Sequence, residues 1–339
     1  MKKIAFLLDR PELCGGVKVV FQHAEILRES GYAVSVFAVG AKPAWANFSG
    51  AYFDLSCATS FSTDYDLVIA TFWTTVEVAE QFGFGNIVHY CQGHEADYEH
   101  LAHEKDAIES VYAKPYPSFV VSQYLAQRLQ DKYQKASFLL PPPIDESFCI
   151  DFDRQLNIEP GYVPKILVSG IFECTWKGVP AALEVVKQLR RNGISVELTR
   201  LSLIAQSDEE KSIVEADQFY THLSPRQVAQ LNRASDLVLF CSHQEEGFGL
   251  PLLEAMASGT PVVSSDIPSA KEITNNRLPL FGRFDIDQFV EESAAILSSD
   301  RLWSERSRLG RDIAKKYSQQ AMSQRLAQAI EWAAAQFAD

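Results

Sequence analysis

Positive charge is scarce in this sequence. Lys and Arg total 31 against 44 Asp and Glu, a net charge of −13 over 339 residues. A surface of that sign excludes an electrostatic grip on nucleic-acid phosphates, which needs a basic face. No pair among the six cysteines (14, 57, 91, 149, 174 and 241) forms C-x-x-C, so neither a zinc knuckle nor a thioredoxin-type redox pair is indicated. Isolated cysteines such as Cys241, inside the apolar run 237–241, read as small core residues and fit a reducing compartment. Long apolar runs are missing as well. After Met1-Lys2-Lys3 only five apolar residues precede Asp9, too few for a signal-peptide core or a membrane span, so a cytoplasmic protein is expected. There is no G-x-G-x-x-G, which argues against NAD or FAD, and no G-x-S-x-G elbow, which argues against a serine hydrolase. No repeat of 20–50 residues and no low-complexity tract occurs.

What is present is alternation. Short apolar runs at 4–8, 33–39, 67–72, 87–91 and 119–122 read as strands, with helical patterns at 16–30, 74–82, 95–110 and 122–133. A second series has strands at 165–169, 195–201, 218–222, 237–242 and 261–265. Its helices fall at 178–191, 225–234, 250–258, 285–299, 302–316 and 319–336. Strands alternating with helices predict parallel sheets built from right-handed βαβ units. Pro141-Pro142-Pro143, Pro160-Gly161 and Pro164 break the chain between the two series. The fold class is therefore α/β: two Rossmann-like, doubly wound domains, at 1–150 and 151–318. Ligands of such sheets bind outside the strands' carboxyl ends, which places the site in a cleft where the two domains face each other.

Two strand–helix junctions have phosphate-binding chemistry. After the first strand, Gly15-Gly16 permit positive φ and close backbone approach at a helix N-terminus. The second, from Phe240 to Met256, places Gly247 and Gly249 around an aromatic expected to be exposed, Phe248. Pro251 suits the first helical position, and the amides from about 248 to 252 form an anion nest. Glu246 lies before this helix and Glu254 one turn inside it. Carboxylates beside an anion nest suit a ligand that carries hydroxyls next to phosphate, a nucleotide sugar. A helix merely capped by acidic residues is the plain alternative.

The stretch 245–264, EEGFGLPLLEAMASGTPVVS, with Glu246 and Glu254 in E-x7-E spacing, resembles the donor-binding signature of retaining glycosyltransferases of family 4. Further resemblances lie in Gly15-Gly16-Val17, Lys177-Gly178, Ser224-Pro225-Arg226-Gln227, read as a capping box, and the 139–148 stretch. The resemblance implies the GT-B fold, with the 319–339 segment forming a helix that packs back on the N-terminal domain. It implies that Glu254 binds the ribose hydroxyls and that Glu246 sits by the donor sugar. Backbone groups of Phe248, Gly249 and Leu250 would hold sugar and diphosphate. Lys177 would neutralise the departing diphosphate, while Gly15 and Gly16 close over the phosphates. The family's arginine about five residues before that lysine is absent from Gly170–Trp176; Arg200, ending the next strand, is the expected substitute. On the acceptor side, Gln92, His94 and Glu95 follow a strand's carboxyl end, and His94 is expected to contact sugar.

The implied activity is transfer of a sugar from a UDP- or GDP-type donor to a carbohydrate or glycolipid acceptor hydroxyl, with retention, in polysaccharide or glycoconjugate synthesis. No metal and no cofactor are expected: His94, His100 and His103 lie in acidic, polar surroundings, and the three Asp-x-Asp pairs at 64/66, 151/153 and 285/287 do not follow strands into a cleft. The basic stretch from Arg301 to Lys316 admits a weak peripheral contact with the inner face of a membrane. Two rivals keep the architecture: a sugar-nucleotide hydrolase or epimerase, and a non-catalytic nucleotide-sugar-binding subunit.

Overall fold

The computed structural model describes residues 2–338 except Thr59 and Ile158. The chain forms two compact units, one comprising the chain up to Pro143 and again from Gln319 onward, the other Ile144–Ser318.

The first unit opens with β1 (Lys3–Leu7), α1 (Gly15–Glu29), β2 (Ala33–Ala38), β3 (Ala51–Asp54) and β4 (Leu67–Ala70). It continues through α2 (Trp73–Gln81), β5 (Ile87–Cys91), α3 (Lys105–Tyr112), β6 (Ser118–Val120), α4 (Gln123–Tyr133) and β7 (Ser137–Leu139). Its sheet has the order β3-β2-β1-β4-β5-β6-β7, parallel throughout. β1, β4 and β5 are almost wholly buried, as strands covered by helices on both faces must be.

The second unit has β8 (Lys165–Ser169), α5 (Val179–Arg191), β9 (Glu197–Ser202), α6 (Asp208–Ile213), β10 (Gln218–Thr221) and α7 (Pro225–Ala234). Then come β11 (Leu237–Phe240), α8 (Leu250–Ala257), β12 (Val262–Ser265), α9 (Pro268–Thr274), β13 (Leu280–Phe281), α10 (Ile286–Leu297) and α11 (Asp300–Ala314). The order is β10-β9-β8-β11-β12-β13, again parallel. Its core is anchored by the fully buried Trp303, whose indole N–H donates to the Asp236 carbonyl at 2.7 Å. The last helix, α12 (Gln319–Gln336), belongs to the first unit. Trp332 meets the rings of Phe119 and Phe138, and Arg325 Nε donates to the Leu139 carbonyl at 2.6 Å.

Both sheets are the doubly wound parallel sheets that the alternation predicts. The expected helix over 95–110 is instead two 3-10 turns, Glu95–Asp97 and Glu99–Glu104, followed by α3. Short β3, β7 and β13, and the short helices α6 and α9, carry too few periodic residues to be read from pattern. The Ser224 capping box on α7 is present, with the Ser224 amide donating to Gln227 Oε1 at 2.9 Å. No helix among the described residues is long and apolar enough to cross a membrane. In the basic stretch, Arg301 pairs with Glu305, Arg306 with Glu292, and Arg311 with Asp153.

Candidate active site

In the second unit, β8 and β11 lie side by side with Val168 opposite Leu239, so the loops leaving their carboxyl ends emerge together. The first loop ends in a 3-10 turn, Thr175–Lys177, and then Gly178, the residue that caps α5. Gly178 has φ +62°, and a Cβ there would stand 1.8 Å from the Cys241 carbonyl oxygen. Only glycine fits, because the turn is pressed onto the end of β11. The His243 amide donates to the Trp176 carbonyl at 2.8 Å, which joins the two loops.

This juxtaposition brings two of the candidate site residues together. Lys177 Nζ donates to Glu246 Oε2 at 2.8 Å, and Ser242 Oγ donates to the same oxygen at 3.2 Å. The Glu246 side chain is 10% exposed and that of Lys177 30%, so the ammonium is the accessible member. Ser242 is itself held, because Ser265 Oγ donates to its carbonyl at 2.5 Å. Sequence reasoning misses the contact of Ser242 with Glu246 and the close approach of Gly178 to β11. The signal for the latter is a glycine directly after the lysine at a helix start.

Gly249 caps α8 in the left-handed region at φ +99°, so α8 opens at Leu250 and Pro251 takes its second position. No acidic side chain lies in its first turn and no side chain caps it. Glu254 lies one turn in and is 8% exposed. Phe248 corrects the expectation of an exposed aromatic: it is buried, packed edge-on against Tyr317 with centroids 5.5 Å apart. The reason is Tyr317, whose ring packs against Phe248 from a segment far along the chain.

Arg200 is also corrected. It is fully buried, Nε donates to Glu210 Oε1 at 2.6 Å, and the remaining guanidinium nitrogens donate to the carbonyls of Val168 and Gly170 at 2.6 and 2.9 Å. Every one of these contacts is to protein, so the residue does not present its charge to a phosphate. A strand-end arginine reads as solvent-facing, yet α6 brings Glu210 over it.

In the first unit Gly15 and Gly16 open α1 as helical residues rather than forming a left-handed turn. The helix has no side-chain cap at Cys14 and no acid in its first turn. Gln92 Nε2 donates to the Gly16 carbonyl at 3.3 Å, so one acceptor-side candidate touches the glycine loop. His94 and Glu95 are corrections, since both are buried within the unit instead of facing out. His94 Nδ1 lies 3.0 Å from Asp97 Oδ2, and Nε2 shares a 2.9 Å hydrogen bond with the Tyr133 hydroxyl. Arg128 pairs with the same Asp97. The Tyr112 hydroxyl donates to the Glu95 carboxylate. Leu125, Leu129 and Tyr133 recur at i, i+4 on α4, the pattern that turns Tyr133 inward. His89, mid-strand, is buried, and neither ring nitrogen has a partner among the described residues.

Burial pushes the Glu95 carboxyl up to about 7, against a partial offset from the Tyr112 hydrogen bond. The folded chain thus holds this proton more tightly than the unfolded chain, whose value is near 4.5. The resulting stability is full below 4.5 and lost as pH rises through 7. Glu95→Gln is expected to match wild type near pH 4. At pH 8 it should be the more stable by up to about 3 kcal/mol, at about 1.4 kcal/mol for each tenfold difference in proton affinity between the folded and unfolded chain. Urea unfolding at both pH values measures this; a difference independent of pH would contradict it.

Residues 150–316, which lie within the second unit, match the family model described as Glycosyl transferases group 1. Among curated proteins, the chain is 33% identical over 111 residues to D-inositol 3-phosphate glycosyltransferase of Nocardia farcinica, covering 33% of this chain and 24% of that protein. It is 33% identical over 106 residues to glycogen synthase of Mycobacterium tuberculosis, covering 30% and 25%. It is 25% identical over 193 residues to trehalose synthase of Pyrococcus furiosus, covering 50% and 46%. The matches therefore span from a quarter to just under half of these relatives' own length. Solved structures share the fold across the chain. Sucrose-phosphate synthase from Thermosynechococcus elongatus superposes with TM-score 0.78 at 15% identity, covering 98% of this chain and 99% of that one. The Anabaena protein HepE, in complex with UDP-glucose, gives 0.76 at 14%, covering 98% and 100%. The two parallel-sheet units thus have the GT-B arrangement of elements seen in glycosyltransferases.

Proposed function

We propose, from the premise that residues 150–316 form a glycosyl transferases group 1 domain, that this protein is a metal-independent retaining glycosyltransferase. It moves a sugar from a nucleoside diphosphate donor, UDP- or GDP-linked, to a hydroxyl of a carbohydrate or glycolipid acceptor in polysaccharide or glycoconjugate synthesis. The observation that carries the reading is the Lys177–Glu246 pair, with Glu246 four residues before α8, whose start has no side-chain cap, and Glu254 one turn in. A lone structural ion pair would not need the glycine turns at 178 and 249.

In this reading the diphosphate takes over the Lys177 ammonium and the first amides of α8, whose dipole favours an anion. Glu246, released from full pairing, accepts hydrogen bonds from donor-sugar hydroxyls, and Glu254 does the same for the ribose. The acceptor hydroxyl attacks from the side the diphosphate leaves, and the leaving phosphate oxygen takes its proton. The anomeric C–O bond to phosphate breaks as the new C–O bond forms, with retention. The protein contributes orientation and stabilisation of the departing charge. The Anabaena HepE complexes with UDP-glucose and with UDP and glucose support a donor of this class by analogy of fold.

The test is incubation with UDP-, GDP-, ADP- and dTDP-sugars and hydroxyl acceptors, with and without EDTA, followed by proton NMR of the anomeric signal. A glycoside with the donor's configuration, formed in EDTA, is expected. Free sugar without acceptor would point to a hydrolase, and donor binding without turnover to a non-catalytic subunit.

A further inference from the structure

Arg200 is the largest buried polar side chain of the second unit, and the proposed reaction does not touch it. Its surroundings run directly to Lys177. The guanidinium bridges the end of β8: Nη1 donates to the Val168 carbonyl at 2.6 Å and Nη2 to the Gly170 carbonyl at 2.9 Å. The Gly170 amide donates back to the Leu201 carbonyl at 2.9 Å, so the turn leaving β8 is tied to β9 in both directions. Gly170 has φ +134°, and a Cβ on it would lie 3.2 Å from Lys177 Cβ and 3.3 Å from Val179 Cγ2. The stem of Lys177 therefore rests on the bare face of Gly170. Glu210, 2% exposed, balances the arginine from α6, and Ser207 caps that helix by accepting from the Glu210 amide.

We infer that Arg200, paired with Glu210, is a positioning residue for Lys177: it fixes the Val168–Gly170 turn on which the lysine stem lies and does not touch the ligand itself. The planar fork suits this task because two nitrogens reach two carbonyls at once while a third edge takes the carboxylate. Lysine, with a single ammonium, cannot hold both carbonyls in that geometry. This inference rests on Lys177 being the diphosphate contact of the proposed function.

The test reads how much a diphosphate adds to nucleoside affinity. UDP and uridine, with the GDP, ADP and dTDP pairs in parallel, are titrated calorimetrically into the full chain, and the ratio of nucleoside Kd to diphosphate Kd is taken. Lys177→Ala is expected to lower that ratio about tenfold or more, the scale of one charge-assisted hydrogen bond. Arg200→Lys is expected to lower it nearly as far with a cooperative melt retained. Arg200→Met/Glu210→Leu removes both buried charges together, so no lone charge is left to unfold the unit; it should do the same. In the Lys177→Ala background neither change should lower the ratio further. An Arg200 variant that melts cooperatively and keeps the wild-type ratio would overturn the inference. So would an equal loss in the Lys177→Ala background, which would mean direct contact or a general effect. If no diphosphate binds wild type better than its nucleoside, the functional reading itself fails; if Lys177→Ala alone lowers the ratio, only the role of Arg200 fails.

Discussion

Gly178→Ala should disrupt the second unit's site more severely than a Cβ added at any other described glycine of that unit. The added Cβ would stand 1.8 Å from the Cys241 carbonyl oxygen and 2.5 Å from its carbonyl carbon, both backbone atoms that no rotamer change can move. The residue also sits at φ +62°, where an L side chain costs about 1–2 kcal/mol by itself. Overpacking against a fixed backbone adds about 1–3 kcal/mol. The expected total is about 4 kcal/mol, roughly 10 °C in Tm for a unit of this size. The turn must lift off β11, which breaks the bond from the His243 amide to the Trp176 carbonyl and separates Lys177 from Glu246. Calorimetric melting together with donor titration would check this. A variant with wild-type Tm and wild-type donor affinity would mean that the turn is not pressed onto β11 as described.

Lys177→Ala is expected to lower kcat about a hundredfold to a thousandfold, the cost of removing one preorganised group that faces developing charge. The loss should fall on kcat more than on KM if the ammonium acts chiefly on the departing diphosphate. Stability should change far less than activity, because the side chain is 30% exposed and the pair it leaves is partly open to water. Steady-state kinetics at saturating acceptor measure the effect. Activity within threefold of wild type would remove Lys177 from the mechanism.

The sequence carried the two-sheet fold, and it singled out Lys177 and Glu246, which the structure brings into contact, for reasons visible in particular residues. β4, β5, β8 and β11 are largely buried apolar runs of four or five residues, a pattern that needs no tertiary information. Lys177 and Glu246 lie next to glycines in the loops that follow β8 and β11, where chain direction fixes which way the loops run, and Glu254 follows one turn into α8. The corrected residues share another property: their orientation depends on a partner from a distant segment. Arg200 turns inward because Glu210 caps it, His94 because Asp97 and Tyr133 take both of its nitrogens, and Glu95 because Tyr112 reaches it from α3. Polar side chains after a strand read as facing ligand, and only the assembled helices show which of them are buried. Phe248 differs from expectation for the same reason, since Tyr317 lies 69 positions away in the chain.

The most direct test of the central claim is calorimetric titration of UDP-, GDP-, ADP- and dTDP-sugars into wild type and Glu254→Ala, each in EDTA. One nucleotide class is expected to bind selectively without metal. Glu254→Ala, judged on protein that still melts cooperatively, is expected to weaken that binding about tenfold or more by removing a carboxylate acceptor for hydroxyls. Failure of every nucleotide sugar to bind a cooperatively folded wild type, or binding indifferent to Glu254, would contradict a donor site built on Lys177, Glu246 and α8.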